Sequence, residues 1–213
     1  MRLYFVRHGE TKWNKEGRIQ GQADNPLNEQ GRRQAQAAAR CLSPIPFKTA
    51  FTSPMLRARE TAEILLKGRE CPLYEDDRLK EISYGEDEGQ SLPLIHGRPD
   101  LNLYSYFHAP GKYLPSEGGE SISALLRRCR SFLKEQILPL EKEQDYVLIA
   151  AHGALIRGMI CTVNHWPPAR FWDGKEQKNC CVTVVICREG EFTLAEEALD
   201  ITGNFQERQR LDN

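Results

Sequence analysis

Apolar residues follow two spacings along this chain. Leu3-Tyr4-Phe5-Val6 and Tyr146-Val147-Leu148-Ile149-Ala150-Ala151 are unbroken apolar runs, the pattern of parallel strands covered on both faces. Ile122, Leu125, Leu126, Cys129, Phe132, Leu133 and Ile137 instead recur every three or four residues, which puts one apolar stripe on a helix lying against a sheet. Asn28 stands ahead of good helix formers from Glu29 to Arg40 and predicts a capped helix there. Thr49–Thr52 reads as a short buried strand. Ser53 follows as an N-cap and Pro54 as the first residue of a helix reaching about Leu66. Cys180–Cys187 has a strand pattern in which cysteine acts as a small hydrophobe, and Glu191–Glu197 reads as an edge strand. Strands alternating with helices predict an α/β layer architecture.

Between Gly85 and Gly118 no period is visible in a segment rich in Pro, Gly, Tyr and His. Long irregular segments of this kind are functional or mobile, so residues 86–118 are expected to form a lid-like insertion in a single domain spanning 1–213. The polar end from Thr202 to Asn213 is expected to be a loose tail. With 213 residues, 40% of them hydrophobic, the chain can bury a substantial core. Its 29 basic and 30 acidic residues leave no global field to recruit nucleic acid or an anionic membrane. No stretch approaches the roughly 20 apolar residues of a membrane span, and no signal-peptide pattern opens the chain. A cytoplasmic protein is expected. Seven cysteines without a C-x-x-C pair argue against a disulfide framework and against a zinc site.

Chemistry collects where the apolar runs stop. The first ends in Arg7-His8-Gly9 and the later one in His152-Gly153, while Arg57 falls in the first turn of the helix after Ser53-Pro54. Ligands of open α/β sheets bind at the carboxyl ends of the strands. Two imidazoles and two guanidiniums brought to that edge, with a helix N-terminus beside Arg57, suit a phosphate.

Taken together, Arg-His-Gly after a first strand, Ser53-Pro54-x-x-Arg57-Ala58-x-x-Thr61-Ala62 and a later strand-His-Gly resemble the histidine phosphatase superfamily, also called the phosphoglycerate mutase-like family. Trp13-Asn14, Gln20-Gly21, Asp24-x-Pro26-Leu27, Gly31, Gln34-Ala35, Leu79-Lys80-Glu81 and Gly118-Gly119-Glu120-Ser121 extend the resemblance over most of the chain. The resemblance implies a three-layer α/β/α sandwich around a mostly parallel sheet with an antiparallel edge strand. It also implies roles: His8 as a nucleophile that becomes phosphohistidine; Arg7, Arg57 and His152 as holders of the phosphoryl oxygens; Glu81 as proton donor. Asn14 matches a further phosphate contact, Gln20 and Gly21 a loop bordering the substrate, and Gly153 a backbone N–H donor. No metal and no cofactor are implied.

Elementary chemistry agrees with that set. An imidazole attacks phosphorus only through a nitrogen with a lone pair, so His8 must be neutral, its other N–H held by an acceptor such as a carbonyl. The charge on a transferred phosphoryl group spreads over three equatorial oxygens, which two arginines and a histidine can stabilise. An alkoxide leaving group needs a proton, and Glu81 with a raised pKa would supply it; the surrounding Glu75, Asp76, Asp77, Glu86, Asp87 and Glu88 read as a solvated face. After Glu81 the chain runs Ile82-Ser83-Tyr84-Gly85-Glu86-Asp87-Glu88-Gly89, without the arginines that follow the acid in the family's mutases. A phosphatase acting on a small-molecule phosphate ester is therefore favoured. A cofactor-dependent phosphoglycerate mutase and a non-catalytic phospho-ligand binding module are the alternatives. The aromatics Tyr104, Tyr106, Phe107, His108 and Tyr113 line a substrate pocket or form a cluster that fixes the lid. Arg98, Lys112 and His96 are candidates for a second anionic group. A homodimer stays open.

Overall fold

The computed structural model describes residues 1–202; all but the first residue of the expected tail, Thr202–Asn213, lies outside them. β1 (Arg2–Arg7) is followed by a single turn, α1 (Lys12–Lys15), and then by α2 (Glu29–Cys41), β2 (Thr49–Thr52), α3 (Leu56–Leu66) and the short β3 (Leu73–Glu75). Two short helices, α4 (Leu92–Gly97) and α5 (Asn102–His108), precede α6 (Ile122–Phe132), β4 (Tyr146–Ala151) and α7 (Gly153–Val163). The hairpin of β5 (Val182–Arg188) and β6 (Glu191–Leu199) closes the described chain. No helix among the described residues is long and apolar enough to cross a membrane.

The six strands form one sheet in the order β3-β2-β4-β1-β5-β6. β1 runs parallel to β4, and β2 runs parallel to both β4 and β3. β5 pairs antiparallel with β1, and β6 antiparallel with β5, so the antiparallel edge is two strands wide rather than one. Because side chains alternate across a strand, the two apolar runs feed two cores. Leu3, Phe5, Val147 and Ile149 pack with α6 and α7, whereas Tyr4, Val6 and Leu148 pack with Ala35 and Ala38 of α2, Leu42 just past its end, and Leu65 and Leu66 of α3. Helices on both faces of the sheet make the expected α/β/α sandwich. Each large side chain so buried contributes about 1.5–3 kcal/mol.

Asn28 caps α2 as expected, its side chain accepting from the Gly31 amide at 2.8 Å. Gly31 and Gly9 let α2 approach the end of β1, because a Cβ on either would collide with backbone of the other segment. The start of α3 differs from expectation. Ser53 is still tied to the sheet, its amide donating to the Ala150 carbonyl, and the helix begins at Leu56 behind Met55. The segment 86–118 is also more ordered than its missing period suggests. α4 and α5 are too short to show an amphipathic repeat, and they are held by a buried aromatic cluster of Tyr84, Tyr106, Tyr113 and Phe171. The stripe of α6 continues through a π turn, Leu133–Ile137.

Candidate active site

β1 and β4 are neighbours in register, with Arg7 opposite Ala151, so the residues that follow them emerge side by side. The His8 and His152 rings lie 5.2 Å apart, and both are buried. His8 Nδ1 sits 2.7 Å from the Gly9 carbonyl, which only accepts; Nδ1 therefore carries the proton. On the other side of the ring, Arg57 Nε donates to Nε2 at 3.2 Å. Both contacts select one tautomer, with the Nε2 lone pair facing a guanidinium. Burial, then Arg57, then Arg7 push the His8 pKa well below its ordinary value of 6.5. Burial and Arg57 do the same to His152.

Arg57 is fully buried, with Nη1 donating to the Ala23 carbonyl and Nη2 to the Gly21 carbonyl. Gly21 thus borders the site through its backbone. Burial lowers the Arg57 pKa to about 10, an effect opposed by Glu81 and Asp24. The α3 N-terminus expected beside the phosphate is satisfied differently: the Leu56 amide donates to Asp24 at 2.8 Å. It is the N-terminus of α7 that reaches the site. Its Ala154 and Leu155 amides donate to the Glu81 carboxylate at 2.9 and 2.8 Å, and the Ile82 amide adds a third bond at 3.0 Å. Burial nonetheless raises the Glu81 pKa above the usual carboxylate range, against the opposing pull of these amides and of Arg57.

Three buried nitrogens here lack a hydrogen-bond partner: Arg7 Nε and both ring nitrogens of His152. Buried polar atoms are ordinarily paired, so a cluster of orphans calls for an explanation. Arg7 otherwise donates from Nη1 to the Gln177 carbonyl at 2.5 Å. The orphans lie beside a neutral His8 and within reach of a cavity of about 510 Å³ lined by Arg7, His8, Asn14, Gln20, Glu81 and Gly153. Arg57 and His152 stand directly behind that lining, each in contact with His8, and Gly21 lies behind Arg57. Asn14 caps α1 with Thr11, and its Oδ1 also accepts from Asn179. Gln20 accepts from the Thr11 hydroxyl at 2.7 Å.

Apart from Phe107, the outer wall is formed by residues that local sequence patterns left unmarked. Arg18, Phe107, Trp172, Lys175, Gln177 and Asn179 line the cavity. Most come from the turn after α1 and from the irregular stretch before β5, which carry no periodic signal. Among the aromatics of the 86–118 segment, Phe107 faces the cavity, stacked 5.5 Å from Trp172, whereas Tyr106 and Tyr113 join the buried cluster and Tyr104 stacks on His108. The candidates for a second anion site lie elsewhere: Arg98 is paired with Asp100 on the surface, His96 with His108, and Lys112 is exposed.

Two buried neutral imidazoles make stability depend on pH. The unfolded chain takes up their protons near pH 6.5, whereas the folded chain does so only at lower pH. The stability contributed by the neutral rings is therefore present above about pH 6.5 and lost as pH falls through the depressed folded values. Glu81, with its raised value, acts in the opposite sense, favouring the fold below the unfolded value of 4.5 and losing that contribution as pH rises. The thermal midpoint is expected to drop between pH 7 and pH 5, and His152→Gln should flatten that slope. An unchanged slope in the variant would show that the ring is not held neutral.

The sequence model described as "Histidine phosphatase superfamily (branch 1)" matches residues 3–199. The chain is 31% identical over 195 residues to the adenosylcobalamin/alpha-ribazole phosphatase of Salmonella typhimurium, covering 91% of this chain and 94% of that protein. It is 30% identical over 197 residues to 2,3-bisphosphoglycerate-dependent phosphoglycerate mutase 2 of Gloeobacter violaceus, covering 91% and 89%. The solved structure of YhfR from Bacillus stearothermophilus superposes with a TM-score of 0.83 at 32% identity, covering 92% of this chain and 96% of that one.

Proposed function

Since this chain belongs to the histidine phosphatase superfamily, branch 1, we propose that it hydrolyses small phosphate monoesters through a phosphohistidine formed on His8. It is a phosphoric monoester hydrolase, and the observation that carries this reading is the orphaned donor set beside a neutral, tautomer-fixed His8. A phosphoryl group entering the cavity meets Arg7 Nε and a His152 N–H, both otherwise unpaired. Its third equatorial oxygen takes the Arg57 Nε–H away from His8, which frees the Nε2 lone pair for in-line attack. The bond from phosphorus to the leaving oxygen breaks as the bond to Nε2 forms. Glu81 gives its proton to that oxygen, then as a carboxylate takes a proton from the water that attacks phosphohistidine. Asn14, Gln20 and the Gly153 amide complete the wall around the phosphoryl group.

All seven cysteines are free thiols, which suits a reducing compartment, and a cytoplasmic location belongs to the same reading. Phosphate release from a panel of sugar, amino-acid and nucleoside phosphates, run with chelator present and beside an isomerisation assay on phosphoglycerates, tests it. Release that persists in chelator and is blocked by orthovanadate is expected. Isomerisation outpacing release would favour the mutase alternative, and strict dependence on added Mg²⁺ would overturn the guanidinium-based mechanism. Arg57→Ala removes a charged donor aimed at the transferred group, and about 3–4 kcal/mol of transition-state stabilisation should go with it. The check is kcat/KM; a loss below tenfold would mean Arg57 only supports the Gly21–Ala23 backbone.

A further inference from the structure

One charge pair at the cavity, a buried Arg157 with a partly buried Glu197, takes no part in the mechanism above. Arg157 on α7 is 1% exposed, and its guanidinium donates to the Glu197 carboxylate on β6 and to the Asp173 and Lys175 carbonyls. Apolar residues of similar volume commonly serve stability as well as a buried ion pair does, so stability alone does not account for this one. What the pair touches is the loop from Asp173 to Gln177. Glu197 accepts a second bond there, from the Lys175 amide at 2.9 Å. Gly174, at φ +104°, passes so close that a Cβ would lie 2.6 Å from the Glu197 carboxylate and 2.7 Å from Arg157 Nη1.

The far end of the same loop meets the reacting groups. The Gln177 carbonyl accepts from Arg7 Nη1 at 2.5 Å, and the Gln177 side chain is pinned by the Thr183 hydroxyl at 3.0 Å and donates to the Lys175 carbonyl at 3.3 Å. Two residues on, Asn179 donates to the His8 carbonyl at 2.9 Å. Arg7 is thereby aimed by a carbonyl whose own place depends on a pair about twenty residues away in sequence on either side, a tether from Arg157 and Glu197 through Lys175 to Gln177.

Resting on the phosphatase reading of this site, we infer that Arg157 and Glu197 are positioning residues for phosphoryl transfer, fixing the Asp173–Gln177 loop so that the Gln177 carbonyl holds the Arg7 fork toward the phosphoryl oxygens. Three variants test it. Glu197→Ala cuts the tether, Glu197→Gln keeps an acceptor for the Lys175 amide, and Gly174→Ala displaces the loop while both charges stay. Thermal unfolding is measured for each, with kcat, KM and the dissociation constant of orthovanadate by calorimetry. A misplacement of this kind should lower kcat/KM by about 10- to 100-fold in Glu197→Ala and Gly174→Ala and weaken orthovanadate binding by a comparable factor, with Glu197→Gln recovering most of both.

Folded variants that bind orthovanadate as the parent protein does would overturn the inference. So would activity lost only in proportion to unfolded protein, with KM and vanadate affinity unchanged. If Glu197→Ala does not fold, Gly174→Ala decides. Parent protein that binds no orthovanadate would overturn the phosphatase reading first and this inference with it, whereas a vanadate-binding parent with unaffected variants overturns the inference alone.

Discussion

Exchange of His8 for alanine is expected to reduce phosphate release by on the order of 10³-fold or more, because the covalent route disappears and the remaining donors only bind. The size of the effect follows from how fully the fold commits this ring. Its Nδ1 proton is fixed on the Gly9 carbonyl, and its Nε2 faces Arg57. Burial and two nearby guanidiniums keep it neutral. A ring so constrained has no role in solvation or surface charge. Brief mixing of the parent protein with a labelled phosphate ester, followed by denaturation in alkali, should trap a phosphoenzyme, since a phosphorus–nitrogen bond survives base and fails in acid. The alanine variant should trap none. Label retained in that variant would assign the nucleophile elsewhere, and turnover within tenfold of the parent would remove the covalent intermediate altogether.

Glu81→Gln is expected to lower turnover of alkyl phosphates by ~10²–10⁴, the range for general acid–base assistance, with little change in orthovanadate affinity. The amide preserves the shape and an acceptor oxygen for one of the two α7 amides, which donate to different oxygens of Glu81, but offers no transferable proton. p-Nitrophenyl phosphate supplies a contrast, because its leaving phenolate departs without protonation and should be much less affected. The pH profile carries the same sign. In the free enzyme His8 must be neutral and Glu81 protonated. The acid limb of kcat/KM therefore follows the depressed His8 value, and activity falls on the basic side as pH passes the raised Glu81 value. The basic limb should vanish in Glu81→Gln. Equal losses for alkyl and nitrophenyl esters, or an unaltered basic limb, would assign the proton donor to another group.

Legibility along the chain tracked how local the determinant is. The apolar runs at Leu3–Val6 and Tyr146–Ala151 marked β1 and β4, and the 3.6-residue stripe from Ile122 marked α6, because burial on a regular element imposes a period that needs no knowledge of the partner. Ser53-Pro54 reads as the start of α3, yet the helix begins at Leu56 because Ser53 stays hydrogen-bonded to Ala150 on β4, a pairing with no trace in the neighbouring residues. α4 and α5 carry no visible repeat because seven residues or fewer cannot display one, and they are held by packing of Tyr106 with Tyr84, Tyr113 and the remote Phe171.

The sequence by itself determined the residue types and the edge of the sheet at which chemistry occurs: Arg7-His8 and His152 each stand at the end of a buried strand, and a strand's direction sets where its last side chains emerge. Tertiary structure alone decided the electrical state and aim of those groups. The tautomer of His8, the raised Glu81, the orphaned nitrogens of Arg7 and His152, and the loop from Asp173 to Gln177 all depend on desolvation and on carbonyls and amides supplied from remote parts of the chain. Burial and hydrogen bonding between distant segments exist only once the sheet has closed, which is why the sequence names the reacting groups and only the fold arms them.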